Sequence, residues 1–172
     1  MRCFRVFLGL SLLLVLLPGR PYESKVPLGS PGRYPVDLKL IGNWSSVGEQ
    51  PADSFSILIV PFNASEYYVE FHEAGEAGDD EIGRMRAFGF DIAGQQFLHT
   101  NGLNSDGTQE PFSFVRFALL EGNQLSLRIV GDAIVPDSLN TDAEALTDFL
   151  ASHLDDPKLY DDELLLRRIA PE

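Results

Sequence analysis

The sequence predicts a mainly β fold, an eight-stranded antiparallel barrel with one C-terminal helix before the last strand. Three observations carry that reading. From residue 37 onward, short runs rich in β-branched and aromatic residues are separated by Gly, Pro, Asn and Asp. The gaps between the first seven runs are too short for the crossovers that parallel strands need. After the seventh run the apolar spacing turns helical, and then a single apolar run closes the chain.

The elements follow in order. Leu38 to Ser46 surrounds Gly42-Asn43-Trp44, and Ser54 to Val60 stops at Pro61. Glu66 to His72 places Tyr67, Val69 and Phe71 on one face, and its short separation from the preceding run predicts a hairpin. Arg84 to Ile92 sets Phe88, Phe90 and Ile92 on one face, and Gln96 to His99 follows the Ala93-Gly94 turn. Pro111 opens Phe112 to Leu120; Gly122-Asn123 then turns the chain into Leu125 to Val130, where Leu125, Leu127 and Ile129 alternate with polar residues. Thr141-Asp142-Ala143-Glu144 reads as a capping box, with Leu146, Phe149, Leu150 and Leu154 at helical spacing behind it. Pro157 ends that helix, and Leu164 to Ile169 is the eighth strand. An eight-stranded barrel has an interior that side chains fill or that holds one small ligand.

Two segments precede this domain, which spans 37–172. Residues 1–19 carry Arg2 and Arg5 ahead of an apolar run from Val6 to Leu17 and end at Pro18-Gly19. A basic head, a short apolar stretch and a helix breaker form the secretory pattern, a signal peptide or, if it is not cleaved, an N-terminal anchor. Twelve helical residues reach about 18 Å, short of the ~30 Å hydrocarbon core. The implied location is exported, periplasmic or secreted, with membrane contact only through residues 1–19 if they are retained. Residues 20–36 hold Pro21, Pro27, Pro31 and Pro35 and read as a Pro-rich extended linker.

Composition excludes several functions. Of 13 Lys and Arg, two belong to the first nineteen residues, so 26 acids face 11 bases in the remainder. A field of that sign repels phosphates and argues against nucleic acid as a partner. Cys3 is the only cysteine, which leaves the domain without a disulfide or a thiolate metal site.

The Gly42-Asn43-Trp44 tripeptide, with an arginine in the last strand, resembles the lipocalin and wider calycin pattern. The resemblance implies an eight-stranded barrel closed at one end by the tryptophan, with Arg167 or Arg168 packed across its ring and Gly42, Trp44 and Arg168 as the closing signature. The ending TDAEALTDFLASHLDDPKLYDDELLLRR is similar to that of a group of bacterial lipocalin-like exported proteins without an established activity. The resemblance covers residues 37 to 170. It departs from the family in lacking the usual disulfide and the motif between the later strands, so it carries no ligand with it.

Chemical motifs are few. His72, His99 and His153 have no partner at i+2 or i+4, so a metal site is not expected and all three read as surface residues. The stretch Glu73 to Gly83 holds five acids, which suit either Ca²⁺ or a solvated hairpin loop. Asn43 and Asn63 begin glycosylation triplets that matter only in a eukaryotic secretory context. No nucleophile elbow, P-loop or dinucleotide fingerprint occurs, and no cofactor is expected. The aromatic residues Tyr67, Phe71, Phe88, Phe90 and Phe117 are the candidate pocket. They read as lining for a small hydrophobic ligand, or as the fill of a packed barrel that presents its surface to a protein partner. A hydrolase or isomerase using a carboxylate at the barrel mouth is the third reading.

Overall fold

The computed structural model describes residues 20–47, 55–73, 82–103 and 109–169. Eight strands close in chain order: β1 (Gly42–Ser46), β2 (Phe55–Pro61), β3 (Glu66–Glu73), β4 (Ile82–Ile92), β5 (Gln95–Leu103), β6 (Gln109–Leu120), β7 (Gln124–Ile129) and β8 (Leu164–Arg168). Every neighbouring pair is antiparallel, and β8 returns to pair with β1 through Trp44 opposite Arg168. A single helix, α1 (Ala143–His153), precedes β8.

Local chemistry sets the tight turns. Between β4 and β5, Ala93 and Gly94 both have positive φ, as a two-residue hairpin of the primed type requires, and the Asp91 carboxylate accepts from the Gly94 amide at 2.9 Å. Gly122 and Asn123 also have positive φ, in the three-residue turn between β6 and β7. Glycine and asparagine tolerate that conformation best.

Several boundaries differ from the sequence reading. β1 begins at Gly42 because Asp37 ties the preceding residues into a turn: its carboxylate accepts from the Lys39 amide at 2.9 Å and its carbonyl from Leu40 at 3.0 Å. β5 runs on to Leu103, and β6 starts at Gln109 and passes through Pro111. The N-cap of α1 is Asp142 rather than Thr141, with its carboxylate accepting from the Ala145 amide at 3.0 Å. The helix ends before Pro157, which opens a separate 3₁₀ turn. Its last carbonyl is met by the barrel, since Leu154 O accepts from Arg116 Nη1 at 3.3 Å and from Tyr160 Oη at 3.2 Å.

The linker expectation is corrected. Residues 20–36 run through bends and turns and are no spacer. Tyr22 donates to the Val130 carbonyl at 2.8 Å, and Ser24 exchanges two backbone bonds with Phe112. Tyr22, Ser24 and Leu28 are buried. Apolar side chains between the prolines account for this, because proline at a sheet edge forfeits only an unneeded donor. The apolar run of residues 1–19 lies outside the described residues.

Two apolar clusters result. One fills the barrel around Trp44, Ile59, Val69, Leu98, Phe117 and Leu166. The other joins the outer faces of β4 to β6 (Phe90, Ile92, Phe97, Phe114) to Tyr22 and Leu28 of the N-terminal segment and to Leu146 and Leu150 of α1. The barrel is thus covered on one flank by a second layer.

Deleting residues 20–30 should lower stability by about 3 kcal/mol or more, since two fully buried side chains leave with them. A urea titration reads this; an unchanged midpoint would restore the segment as a linker.

Candidate ligand-binding site

Antiparallel register and alternation fix which side chains point inward. At one end of the barrel the interior is closed. Trp44 is fully buried and donates from Nε1 to the Leu40 carbonyl at 2.9 Å. The Arg168 guanidinium lies 4.3 Å from the Trp44 ring, a cation–π contact, and donates to the Ile41 carbonyl at 2.5 Å and to the Lys39 carbonyl. A Cβ on Gly42 would meet Arg168 Nη1 at 2.6 Å, so glycine is what lets the guanidinium reach across. Leu40, fully buried, and Val36 and Ile41, packed against it, complete this floor. Of the two arginines in the last strand, Arg168 is the one on the tryptophan, and Arg167 is exposed.

The opposite end, where β1 leaves toward β2, behaves differently. In seven of the eight strands the inward side chain nearer that end is half-buried, and the next one inward is buried. The pairs are Ser46 over Trp44, Phe55 over Ile57, Phe71 over Val69 and Met85 over Ala87. Thr100 over Leu98, Val115 over Phe117 and Leu164 over Leu166 continue the step. β7 is the exception, buried at Leu125, Leu127 and Ile129 alike. The inward side chains are therefore buried at the level of Trp44 and half-buried above it, toward this rim. Phe55 and Phe71 stack at 5.0 Å on this upper wall. Thr100 and Ser113 place hydroxyls beside them, and Thr100 Oγ1 donates to the Ser113 carbonyl at 3.3 Å.

The sequence-predicted pocket residues divide. Phe71 lines the accessible upper wall, and Phe117 belongs to the packed layer with Trp44. Tyr67 is buried near the floor, where its Oη accepts from the Asp37 amide at 2.6 Å. Phe88 and Phe90 are not in the barrel. Both face outward from β4 beneath the second layer, and the inward positions beside them are Ala87 and Gly89. Phe55, Met85, Val115 and Leu164 join Phe71 on the upper wall, and their runs fix their side only once the register is known.

His99 corrects the surface reading of the histidines. It faces outward from β5 yet is only 1% exposed. Its ring stacks on Phe112 and Phe114 at 4.6 and 5.2 Å and meets the edges of Phe88 and Phe90. Neither ring nitrogen has a hydrogen-bond partner among the described residues. Burial pushes its pKa down from 6.5 to about 4, so the imidazole is neutral. His72 and His153 are partly exposed, as expected. Among the described residues no His, Cys, Asp and Glu gather to hold a metal, and residues 74–81 of the acidic stretch lie outside them.

The barrel-mouth carboxylate of the hydrolase reading has one relevant group. Asp161 has its pKa raised, mainly by burial and further by Asp132 and Asp162. It abuts Gly131 on the connection between β7 and β8, not the inward-facing residues.

Known protein families, curated proteins and solved structures provide no match to this chain. The reading of the site rests on its geometry.

Trp44→Ala should cost about 3–5 kcal/mol in a denaturant titration, as expected for removing a buried indole from a packed floor. Arg168→Ala should shift tryptophan emission, because Trp44 is the sole reporter and loses the charge above its ring; an unmoved spectrum would contradict the stack. His99 gives a pH dependence. The unfolded imidazole takes up a proton near pH 6.5 and the folded one near 4, so folding stability falls as pH drops through that window, by about 3 kcal/mol in all. His99→Phe should abolish that part of the loss. Urea midpoints of both proteins at pH 7 and pH 4.5 measure it, and parallel declines would refute the assignment.

Proposed function

We propose that this protein is an exported lipocalin-like binding module that holds one small, hydrophobic ligand in the upper half of its barrel. The observation that supports it is the step in exposure repeated on seven strands, which leaves apolar side chains facing an accessible interior over a sealed floor. Small-molecule sites are concave and mainly apolar with a few polar groups. The upper wall has that composition, with Phe55, Phe71, Met85, Val115 and Leu164 beside Thr100 and Ser113. The Gly42–Trp44–Arg168 contact favours the calycin relationship, as does the position of α1 before the closing strand.

Export rests on the sequence of residues 1–19; no helix among the described residues is long and apolar enough to cross a membrane. The first described residue, Arg20, lies at the accessible end, where its carbonyl accepts from the Asp132 amide beyond β7.

The filled-barrel reading keeps one supporting observation. At the sealed end Leu38 and Ile169 are 75% and 42% exposed on either side of the Arg168 contact, an apolar surface of the kind protein partners use.

Native mass spectrometry of the protein purified from its own host, followed by organic extraction, tests the proposal. The expected result is an apolar small molecule retained at close to one per chain. An empty protein that also fails to enhance the fluorescence of the neutral apolar probe N-phenyl-1-naphthylamine would favour the filled barrel.

A further inference from the structure

The charge of the ligand follows from what the upper wall lacks. Its inward side chains among the described residues, such as Ser46, Phe55, Phe71, Thr100, Ser113 and Leu164, include no ionisable group. The inward-facing cation of the barrel, Arg168, is on the floor side of Trp44 and is fully engaged by two carbonyls and the indole. Charged side chains on the neighbouring strands point outward and are paired there: Arg84 with Glu70 at 3.5 Å, and Arg86 with Glu66 at 2.5 Å. Tyr68 Oη also donates to Glu70 at 2.7 Å, which holds that carboxylate below its ordinary pKa. Arg20 and Lys158 are exposed and belong to the outer layer that carries Tyr22 and Leu159.

A carboxylate or phosphate entering such a site gives up its hydration and meets no positive group. Polar capacity of another kind is present. Ser46 Oγ accepts from the Phe55 amide at 3.1 Å, which leaves its own proton to donate. The Ser113 hydroxyl is half-buried on the same inward face as Thr100. Resting on the binding-module reading, we infer that the ligand is an electrically neutral apolar molecule with a hydroxyl or carbonyl group. The barrel discriminates against anionic lipids such as fatty acids.

Matched twelve-carbon compounds test this by displacement of bound N-phenyl-1-naphthylamine at pH 7.5. Dodecan-1-ol should displace the probe at a concentration at least about tenfold below that needed for dodecanoate. Lowering the pH should narrow the gap as the acid becomes neutral, with dodecan-1-ol as the internal reference for the protein at each pH. Ser113→Lys should improve dodecanoate binding and leave the alcohol little changed. Dodecanoate binding as tightly as the alcohol in the native protein overturns the inference while leaving the binding module standing. A folded Ser113→Lys protein with unaltered dodecanoate affinity overturns the placement of the polar group. Failure of the probe and of all compounds to bind removes the binding module, and the inference with it. If Ser113→Lys does not fold, the native alcohol–carboxylate comparison decides.

Discussion

The barrel depends on the contact that joins its first strand to its last. Closing a sheet requires β8 to find β1 after more than a hundred residues, and the register there is set by Trp44 opposite Arg168. The guanidinium does three things at once. It covers the indole, it binds two carbonyls of the 39–41 turn, and it occupies the space that a side chain at residue 42 would claim. Those carbonyls belong to a segment outside the strands, so the arginine supplies donors that no neighbouring strand provides and ties the segment to β8. Since the planar fork matches that arrangement, lysine is no substitute.

The outer layer bears on the same question of closure from the other flank. β4, β5 and β6 are apolar on both faces: inward at Ala87, Leu98 and Phe117, outward at Phe90, Phe97 and Phe114. Such strands need cover, and the N-terminal segment and α1 supply it. His99 sits in this layer without a hydrogen bond, a polar ring used as an aromatic one among Phe88, Phe90, Phe112 and Phe114. Its neutrality near pH 7 makes that placement tolerable.

How far the sequence reveals this molecule depends on how many faces each strand buries. Strand count, turns, the helix and the closing signature are legible because each has a local cause: positive-φ Gly and Asn, an Asp cap, and the Gly-x-Trp spacing. The side of β4 is not legible. Alternation shows that Phe88 and Phe90 share a face but not which face is inside, and the larger residues invite the wrong choice because the inward face carries only Met85, Ala87 and Gly89. Register against Tyr67 resolves it, and register is a property of the pair. The Pro-rich segment misleads for a related reason. Prolines report the absence of helix and central strand truthfully, while Tyr22, Ser24 and Leu28, spaced between them, make the buried contacts.

A sealed floor and a covered flank also explain how apolar surface can stay accessible above Trp44. Half-buried Phe and Leu inside a small barrel favour collapse of the wall, because fully burying such a side chain from exposure is worth about 1.5–3 kcal/mol. Here the wall is held apart from two directions. The packed layer of Trp44, Phe117, Leu98 and Leu166 fixes its circumference from below, and the outer layer stiffens β4 to β6 from outside. The strands therefore cannot close over the upper interior without unpacking one or the other. Alternation turns Glu66 and Glu70 of β3 and Arg84 and Arg86 of β4 outward, where they pair across the strands. An apolar upper wall, half-buried on every strand but β7, is what remains above the packed layer.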